Sequence, residues 1–236
     1  MVVDKKKLPP IVILCGGKGT RVNNLLKKKN IKPLLKIQGK PFLYYKLLQL
    51  KKQGFSNFIL STNFKSYLIE NFYKKFNKNK KLKIKIIKDK YIDIGTGGAL
   101  KNLAKVIKKP FFVTYGDNYL RLNCKKFYSQ YILKNSKIMM SIFKNKDNSE
   151  KNNINILNEK VIYNKSNQTS SKFIDYGIFI IDPNLLIEFK RNKFDLENFL
   201  NIKSLEKKID YFRVYRKFYE IGSLQGFKST KKFLEK

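Results

Sequence analysis

The sequence predicts an α/β fold in which helices flank a mostly parallel, Rossmann-like sheet. Short apolar runs rich in β-branched residues alternate with segments of helical periodicity between residues 11 and 116. Strand–helix–strand units of this length join parallel strands through right-handed crossovers. The first run, IVILC at 11–15, is apolar throughout. That composition is typical of a strand buried on both faces.

The elements of the first half follow in order from apolar periodicity and from turn residues. Pro41 precedes a segment of helical periodicity that Gly54 closes. This arrangement predicts a helix with proline near its start and glycine past its end. Apolar spacing predicts two more helices, and β-branched runs predict three more strands. The helices are expected at 66–76 and 97–107, and the strands at 57–62, 82–87 and 111–116.

The pattern changes after residue 136, where strand-like runs follow one another through Asn- and Ser-rich connections. INIL at 154–157 and KVIY at 160–163 are expected to pair as a hairpin. The other expected elements are strands within 137–143, 172–182 and 210–216, two helical segments over about 183–207, and a last helix over 223–236. No long linker separates two independent domains. We therefore predict a single domain over 1–236, with a first half of about 1–136 and an inserted mixed-strand half of about 137–236.

The charge of the chain is strongly positive, with 52 Lys and Arg against 17 Asp and Glu and a formal net charge of +35. Such a charge can indicate a nucleic-acid partner. Here nearly all the basic residues are lysines scattered over the whole length, whereas sequence-specific readers of DNA depend on arginine forks. We therefore expect solvent-facing lysines and no specific nucleic-acid partner. A basic nucleic-acid-binding protein is kept as an alternative from another class.

The residue types present exclude several kinds of chemistry. The chain has no histidine and two cysteines, Cys15 and Cys124, which excludes Cys/His zinc sites and any histidine-based acid, base or triad. A metal would need oxygen ligands, which favours magnesium. No apolar run approaches the roughly 20 residues that span a bilayer, and the N-terminus lacks the apolar region of a signal peptide. We therefore expect a cytoplasmic protein without a membrane span.

The segment LCGGKGTR, residues 14–21, directly follows the first strand. Its glycines, Gly16, Gly17 and Gly19, allow a phosphate to approach the backbone closely. Arg21 adds a planar cation that can bind two phosphate oxygens. The segment differs from a Walker A loop, because no Gly-Lys-Ser/Thr ends it. Its expected place at the carboxyl edge of a parallel sheet predicts a ligand site.

Three further segments carry candidate residues. Lys32 stands before Pro33, which holds the lysine backbone extended. GTGGA at 95–99 opens a helix, and a glycine-rich helix start suits anionic or polar ligand atoms. Asp117 follows the fourth strand, so its carboxylate is expected at the same sheet edge as the glycine-rich segment. In a chain with few carboxylates, this position indicates a metal ligand.

The order of LCGGKGTR, IKPLLKIQGKPFL, IGTGGAL and YGDNYL resembles that of the sugar-1-phosphate nucleotidyltransferase family. That family includes glucose-1-phosphate thymidylyl- and cytidylyltransferases and mannose- and heptose-1-phosphate guanylyltransferases. IYNK at 162–165, IDYGIFIID at 174–182 and FYEIGSLQGFKST at 218–230 fit the same plan. The resemblance therefore covers nearly the whole chain.

This resemblance implies a GT-A-like fold with a nucleotide-binding first half and a sugar-phosphate-binding second half. It implies an enzyme that joins a nucleoside triphosphate to a sugar 1-phosphate and releases pyrophosphate, with Mg²⁺ as cofactor. The product would supply nucleotide sugar for surface polysaccharide synthesis. A sugar 1-phosphate is already an anion, so the reaction needs no general base. Catalysis would rest on positioning and charge neutralisation.

The resemblance also implies roles for individual residues. The nucleotide would be bound by Leu14, Gly16, Gly17, Gly19, Thr20, Gly97 and Gly98. The catalytic residues would be Arg21, Lys32 and Asp117, and the metal ligands Asp117 and Glu220. Substrate contacts would come from Asn118, Lys165, Tyr176 and Gly177. Glu220 stands where the family often has Asp, and Asn164 where it often has Glu, so the metal geometry and the contacts to sugar hydroxyls are expected to differ.

An alternative acceptor stays open at this point. A cytidylyltransferase that acts on a non-sugar phosphate such as phosphocholine would offer aromatic faces to a quaternary ammonium. Tyr163 and Tyr176 could supply them. The base, the sugar and the oligomeric state do not follow from the sequence, and a homo-oligomer is left open.

Overall fold

The structure, a computed structural model, describes residues 7–17, 30–77, 82–89, 93–145, 152–163 and 172–235. The strands are β1 (Ile11–Leu14), β2 (Lys36–Ile37), β3 (Lys40–Pro41), β4 (Asn57–Thr62), β5 (Lys83–Lys88), β6 (Phe111–Tyr115), β7 (Asn118–Tyr119), β8 (Ile138–Lys144), β9 (Ile154–Leu157), β10 (Lys160–Tyr163), β11 (Phe173–Ile181), β12 (Ile209–Val214) and β13 (Tyr219–Glu220). The helices are α1 (Phe42–Lys52), α2 (Ser66–Asn77), α3 (Gly95–Ile107), α4 (Cys124–Leu133), α5 (Pro183–Ile187), α6 (Leu196–Leu205) and α7 (Leu224–Leu234), with a 3-10 helix at Lys32–Leu34.

The strands and helices expected from the sequence are all present, with small shifts at their ends. The sequence analysis placed no element where α4 lies. Its buried residues Cys124, Phe127 and Tyr131 recur at helical spacing, and the Asn123 side chain caps its start by accepting from the N–H of Lys126. The signal for α4 was therefore an N-cap followed by an apolar stripe.

The chain divides into two compact units, and each unit is built from three separate segments of the sequence. The first unit comprises the described residues of Pro10–Ile92, Thr114–Leu120 and Phe218–Lys236; the second comprises those of Met1–Pro9, Asp93–Val113 and Arg121–Lys217. The two units are interleaved along the sequence, because the chain passes from one to the other several times. The single-domain organisation stays a prediction.

The first unit contains a parallel sheet in which β4 lies between β1 and β5. Ile11 of β1 is opposite Phe58 of β4, and the aligned strands end together, where the N–H of Cys15 donates to the carbonyl of Ser61 at 2.8 Å. Helix α1 buries an apolar face that includes Phe42 and Leu50. Burying side chains of this size contributes roughly 1.5–3 kcal/mol each.

The second unit contains mixed strands centred on β8. Strand β12 runs parallel to β8, whereas β11 runs antiparallel to it. The register of β11 shifts between Asp175 and Phe179, a stretch that includes Gly177 at a φ of 89°. Strands β9 and β10 form the expected antiparallel hairpin. The α/β class, with a central mostly parallel sheet flanked by helices, is confirmed.

Within the described ranges, no helix combines the length and the apolar character needed to cross a bilayer.

Candidate active site

The described part of the glycine-rich segment lies at the carboxyl end of β1. Gly16 is tightly packed, because a Cβ on it would come within 3.2 Å of the Asn63 backbone nitrogen. Gly17 is exposed, and apart from its own atoms and its two chain neighbours no described atom lies within 4 Å of the place where its Cβ would be. Neither glycine has a positive φ. At Gly16, close packing against Asn63, and not left-handed backbone, is therefore what favours glycine.

Gly116 brings the end of β6 close to the end of β1. Its N–H donates to the Leu14 carbonyl at 2.9 Å, so Leu14 contributes a backbone contact to this edge. A Cβ at Gly116 would lie 2.8 Å from that carbonyl and 3.2 Å from the Cys15 sulfur. Only glycine fits there without displacing β1. Asp117 follows at once and so reaches the sheet edge expected from the sequence.

Glu220 is brought beside Asp117 by two very short strands. Strand β13 pairs antiparallel with β7, so that Glu220 is opposite Asn118. The N–H of Ile221 then donates to the Asp117 carbonyl at 2.9 Å. The C-terminal segment thus returns to the first unit next to the residue expected to bind metal.

Lys32 completes a cluster with the two carboxylates. Its Nζ lies 3.3 Å from Asp117 Oδ2, and the two side chains are 13% and 31% exposed. The place that a Cβ on Gly222 would take lies 2.7 Å from Glu220 Oε2, 3.3 Å from Asp117 Oδ2 and 3.7 Å from Lys32 Nζ. The three charged groups therefore surround one point. That point is free because residue 222 is glycine and has no side chain. Partly exposed ion pairs add little stability, so this clustering is better explained by ligand binding.

Lys46 is a buried lysine that the sequence analysis missed. Its Nζ donates to the Asn118 carbonyl at 2.7 Å and to Asn118 Oδ1 at 2.6 Å, and lies 3.3 Å from Thr114 Oγ1. Lys46 falls on the apolar stripe of α1 with Phe42 and Leu50. That placement was the available signal, because a lysine within an apolar stripe must find polar partners when it is buried.

Asn118 consequently has a supporting role directly after Asp117. Its side chain is 5% exposed and is held by Lys46 and Thr114. The substrate contact that the resemblance implies for Asn118 stays a prediction. Cys15 lies nearby in the same unit, and burial raises the pKa of its thiol to about 12. The thiol is therefore neutral near pH 7 and unsuited to act as a nucleophile.

Gly97 and Gly98 lie in the first turn of α3 and pack against the second unit's own chain. Both N–H groups donate to the Phe194 carbonyl at 3.0 Å. A Cβ on Gly97 would overlap the Phe194 ring, and one on Gly98 would lie 2.6 Å from the Asn192 carbonyl. The sequence analysis expected ligand atoms at this helix start; in the structure a carbonyl of the chain occupies these two donors. Their contact with nucleotide stays a prediction.

Tyr176 and Gly177 lie on β11. The Tyr176 hydroxyl accepts from the N–H of Arg121 at 2.9 Å, and burial raises the pKa of that hydroxyl to about 12. The N–H of Gly177 donates to Asp175 Oδ1 at 2.7 Å. The side chains of Tyr163 and Tyr176 are 2% and 1% exposed, so neither ring offers the open face that a phosphocholine site would need.

Four predicted site residues lie outside the described residues. They are Gly19, Thr20, Arg21 and Lys165.

The cluster fits the ligand set of a magnesium ion. In the described part of the chain, no group of three or more His, Cys, Asp or Glu side chains could hold a metal. Mg²⁺ is nevertheless commonly bound through one or two carboxylates, with substrate phosphates and waters completing its shell. Asp117 and Glu220 supply those two carboxylates, and Lys32 offers a cation for phosphate oxygens.

Comparison with known proteins gives consistent matches over most of the chain. A family model described as nucleotidyl transferase matches residues 11–198. D-glycero-alpha-D-manno-heptose 1-phosphate guanylyltransferase from Campylobacter jejuni is 31% identical over 216 residues, which is 89% of this chain and 93% of the relative. A protein of the same name from Aneurinibacillus thermoaerophilus is 26% identical over 228 residues, covering 95% and 97%.

A solved structure gives the same result at the level of the fold. The crystal structure of HddC from Yersinia pseudotuberculosis complexed with GMP-PN superposes with a TM-score of 0.80 at 29% identity, over 96% of this chain and 100% of that one.

Proposed function

The chain belongs to the nucleotidyl transferase family and is a sugar-1-phosphate nucleotidyltransferase; we propose that its nucleotide is GTP and its acceptor a heptose 1-phosphate. The family and the activity class inferred from the sequence motifs are thereby confirmed. The choice of GTP and heptose goes beyond them. It is supported by two relatives of that specificity that align over nearly the whole chain.

The single observation that carries the assignment of the site is the convergence of Lys32, Asp117 and Glu220 beside the glycine-rich segment. In the proposed reaction, an oxygen of the sugar 1-phosphate attacks the α-phosphorus of GTP. The bond between the α-phosphorus and the bridging oxygen breaks, and pyrophosphate leaves. No proton has to be removed from the attacking oxygen, which agrees with a site that offers no histidine and a neutral Cys15.

Residues of the first unit supply phosphate binding, charge neutralisation and metal binding in this proposal. We propose that phosphate contacts the backbone at Gly17, which is exposed among the described residues. Lys32 neutralises phosphate charge, and we propose that Asp117 and Glu220 hold Mg²⁺. The ion, when bound, would stabilise charge on the phosphate oxygens. Arg21 and Lys165 remain proposed contacts to the nucleotide and sugar phosphates. A cytoplasmic location and a place in supplying nucleotide sugar for surface polysaccharide are proposed with them.

The experiment that tests this proposal is a substrate matrix. Pyrophosphate release should be measured with each of GTP, CTP, dTTP, UTP and ATP against D-glycero-α-D-manno-heptose 1-phosphate, mannose 1-phosphate, glucose 1-phosphate and phosphocholine. We expect GTP with the heptose phosphate to give the highest kcat/KM. It should exceed the other nucleotides by about 10²-fold or more, because a site built to hydrogen-bond one base leaves polar groups unpaired with another.

Other outcomes have distinct meanings. A preference for CTP or for another sugar phosphate would overturn the proposed specificity but keep the activity class. Activity with phosphocholine alone would replace the acceptor class.

A further inference from the structure

The Glu220 carboxylate is bound by the start of α7. Oε2 accepts from the N–H of Gly222 and from that of Ser223 at 3.1 Å, and Oε1 accepts from the Ser223 hydroxyl at 2.5 Å. The Ser223 oxygen in turn accepts from the N–H of Gly226 at 2.9 Å, as the N-cap of α7. The carboxylate and the first turn of the helix therefore form one hydrogen-bonded unit.

Gly226 occupies a position where glycine has no conformational advantage. It lies inside the first turn of α7, where glycine is less favourable than alanine. Its φ is not positive. A Cβ at this position would overlap Glu220 Oε1 and would lie 2.9 Å from the Glu220 carbonyl oxygen. The absence of a side chain at Gly226 is what leaves space for the Glu220 carboxylate.

The length of the Glu220 side chain explains why that space is needed. Glutamate carries its carboxylate one methylene further than the Asp that often stands here in the family. The Glu220 side chain turns back over the first turn of α7, so that its Oε2 still lies beside Asp117 and Lys32. Without the space at Gly226, the carboxylate would have to leave the Ser223 hydroxyl.

We propose that Gly226 is a positioning residue for Glu220, and that Glu220, Ser223 and Gly226 act as a matched set which lets a glutamate serve at this metal position. This inference rests on the proposed metal-binding role of Glu220. It predicts energetic coupling between positions 220 and 226, because a side chain at position 226 would occupy the space that the Glu220 carboxylate fills.

The test is a double-mutant cycle of the parent, Gly226→Ala, Glu220→Asp and the double variant. In the parent background, Gly226→Ala should lower kcat/KM about tenfold, as is typical for residues that orient a metal ligand. In the Glu220→Asp background, the same change should cost much less, because the shorter carboxylate no longer occupies the space. The 2.9 Å contact to the Glu220 carbonyl makes a small residual loss expected.

Mn²⁺ affinity, measured by electron paramagnetic resonance on the same four proteins, gives a readout that does not depend on substrate. We expect it to follow the same pattern as kcat/KM. Gln225→Ala is the matched control, because Gln225 is exposed in the same turn of α7 and its replacement should change neither quantity. Gly226→Ala gains helix propensity but places its Cβ 2.9 Å from the Glu220 carbonyl oxygen in both backgrounds, so thermal denaturation of all four proteins is the check that each variant is folded.

Two results would overturn the proposal. One is an equal cost of Gly226→Ala in both backgrounds, and the other is no cost in the parent. If Mn²⁺ affinity shows the expected coupling across the four proteins but the parent transfers no nucleotide, the proposed function fails while the matched set stands.

Discussion

Asp117→Asn is expected to lower turnover on the order of 10³-fold, because a neutral amide is a poor ligand for Mg²⁺ beside phosphate charge. The fold should be preserved. The Asp117 backbone carbonyl still accepts from Ile221, and the partly exposed ion pair with Lys32 contributes little to stability. Pyrophosphate release at saturating Mg²⁺, together with thermal denaturation, measures both quantities.

Asp182→Asn is the matched control for that experiment. Asp182 caps α5 and pairs with Lys137 at 3.2 Å, and asparagine is an equally good cap. Its replacement should leave turnover unchanged. If folded Asp117→Asn releases pyrophosphate as fast as the control, Asp117 has no part in the mechanism.

Lys32→Gln is expected to lower turnover about 10²-fold, the cost of removing one preorganised contact to developing charge. The Lys32 ammonium lies 3.3 Å from Asp117 Oδ2 and is 13% exposed, so it is held in place before substrate arrives. Glutamine keeps polarity but removes the charge. Single-turnover rates separate this chemical effect from product release.

Lys36→Gln isolates the effect of overall charge. Lys36 lies on β2 with an exposed side chain, and the substitution removes the same single charge from the same chain. It should leave the single-turnover rate unchanged. Equal rates for Lys32→Gln and Lys36→Gln would show that Lys32 acts only as part of the general positive charge.

The strands and helices of the first unit could be predicted because apolar periodicity reports burial directly. Strand β1 is buried over most of its length and therefore reads as an unbroken apolar run, and β4 has a central apolar run at Phe58, Ile59 and Leu60. Asp117 was predictable for the same reason, since its position depends only on where β6 ends. The match of residues 14–21 and 95–99 to a family order added the activity class.

The proximity of Glu220 to Asp117 could be expected only through the resemblance. It depends on β7 and β13, which are two residues long each and leave no periodic pattern. The contacts of Gly97 and Gly98 with Phe194 join segments far apart in the chain, and no local signal predicts them. The interleaved units escaped prediction because contacts, and not composition, decide which unit a segment joins.

A crystal structure of the protein with Mg²⁺ and a non-hydrolysable GTP analogue tests the central claim most directly. We predict a metal ion bound by the carboxylates of both Asp117 and Glu220, with Lys32 Nζ in hydrogen-bond distance of a phosphate oxygen. The phosphates should lie against the backbone at Gly17. A metal bound away from both carboxylates, or phosphates bound away from Gly17 and Lys32, would contradict this assignment of the site.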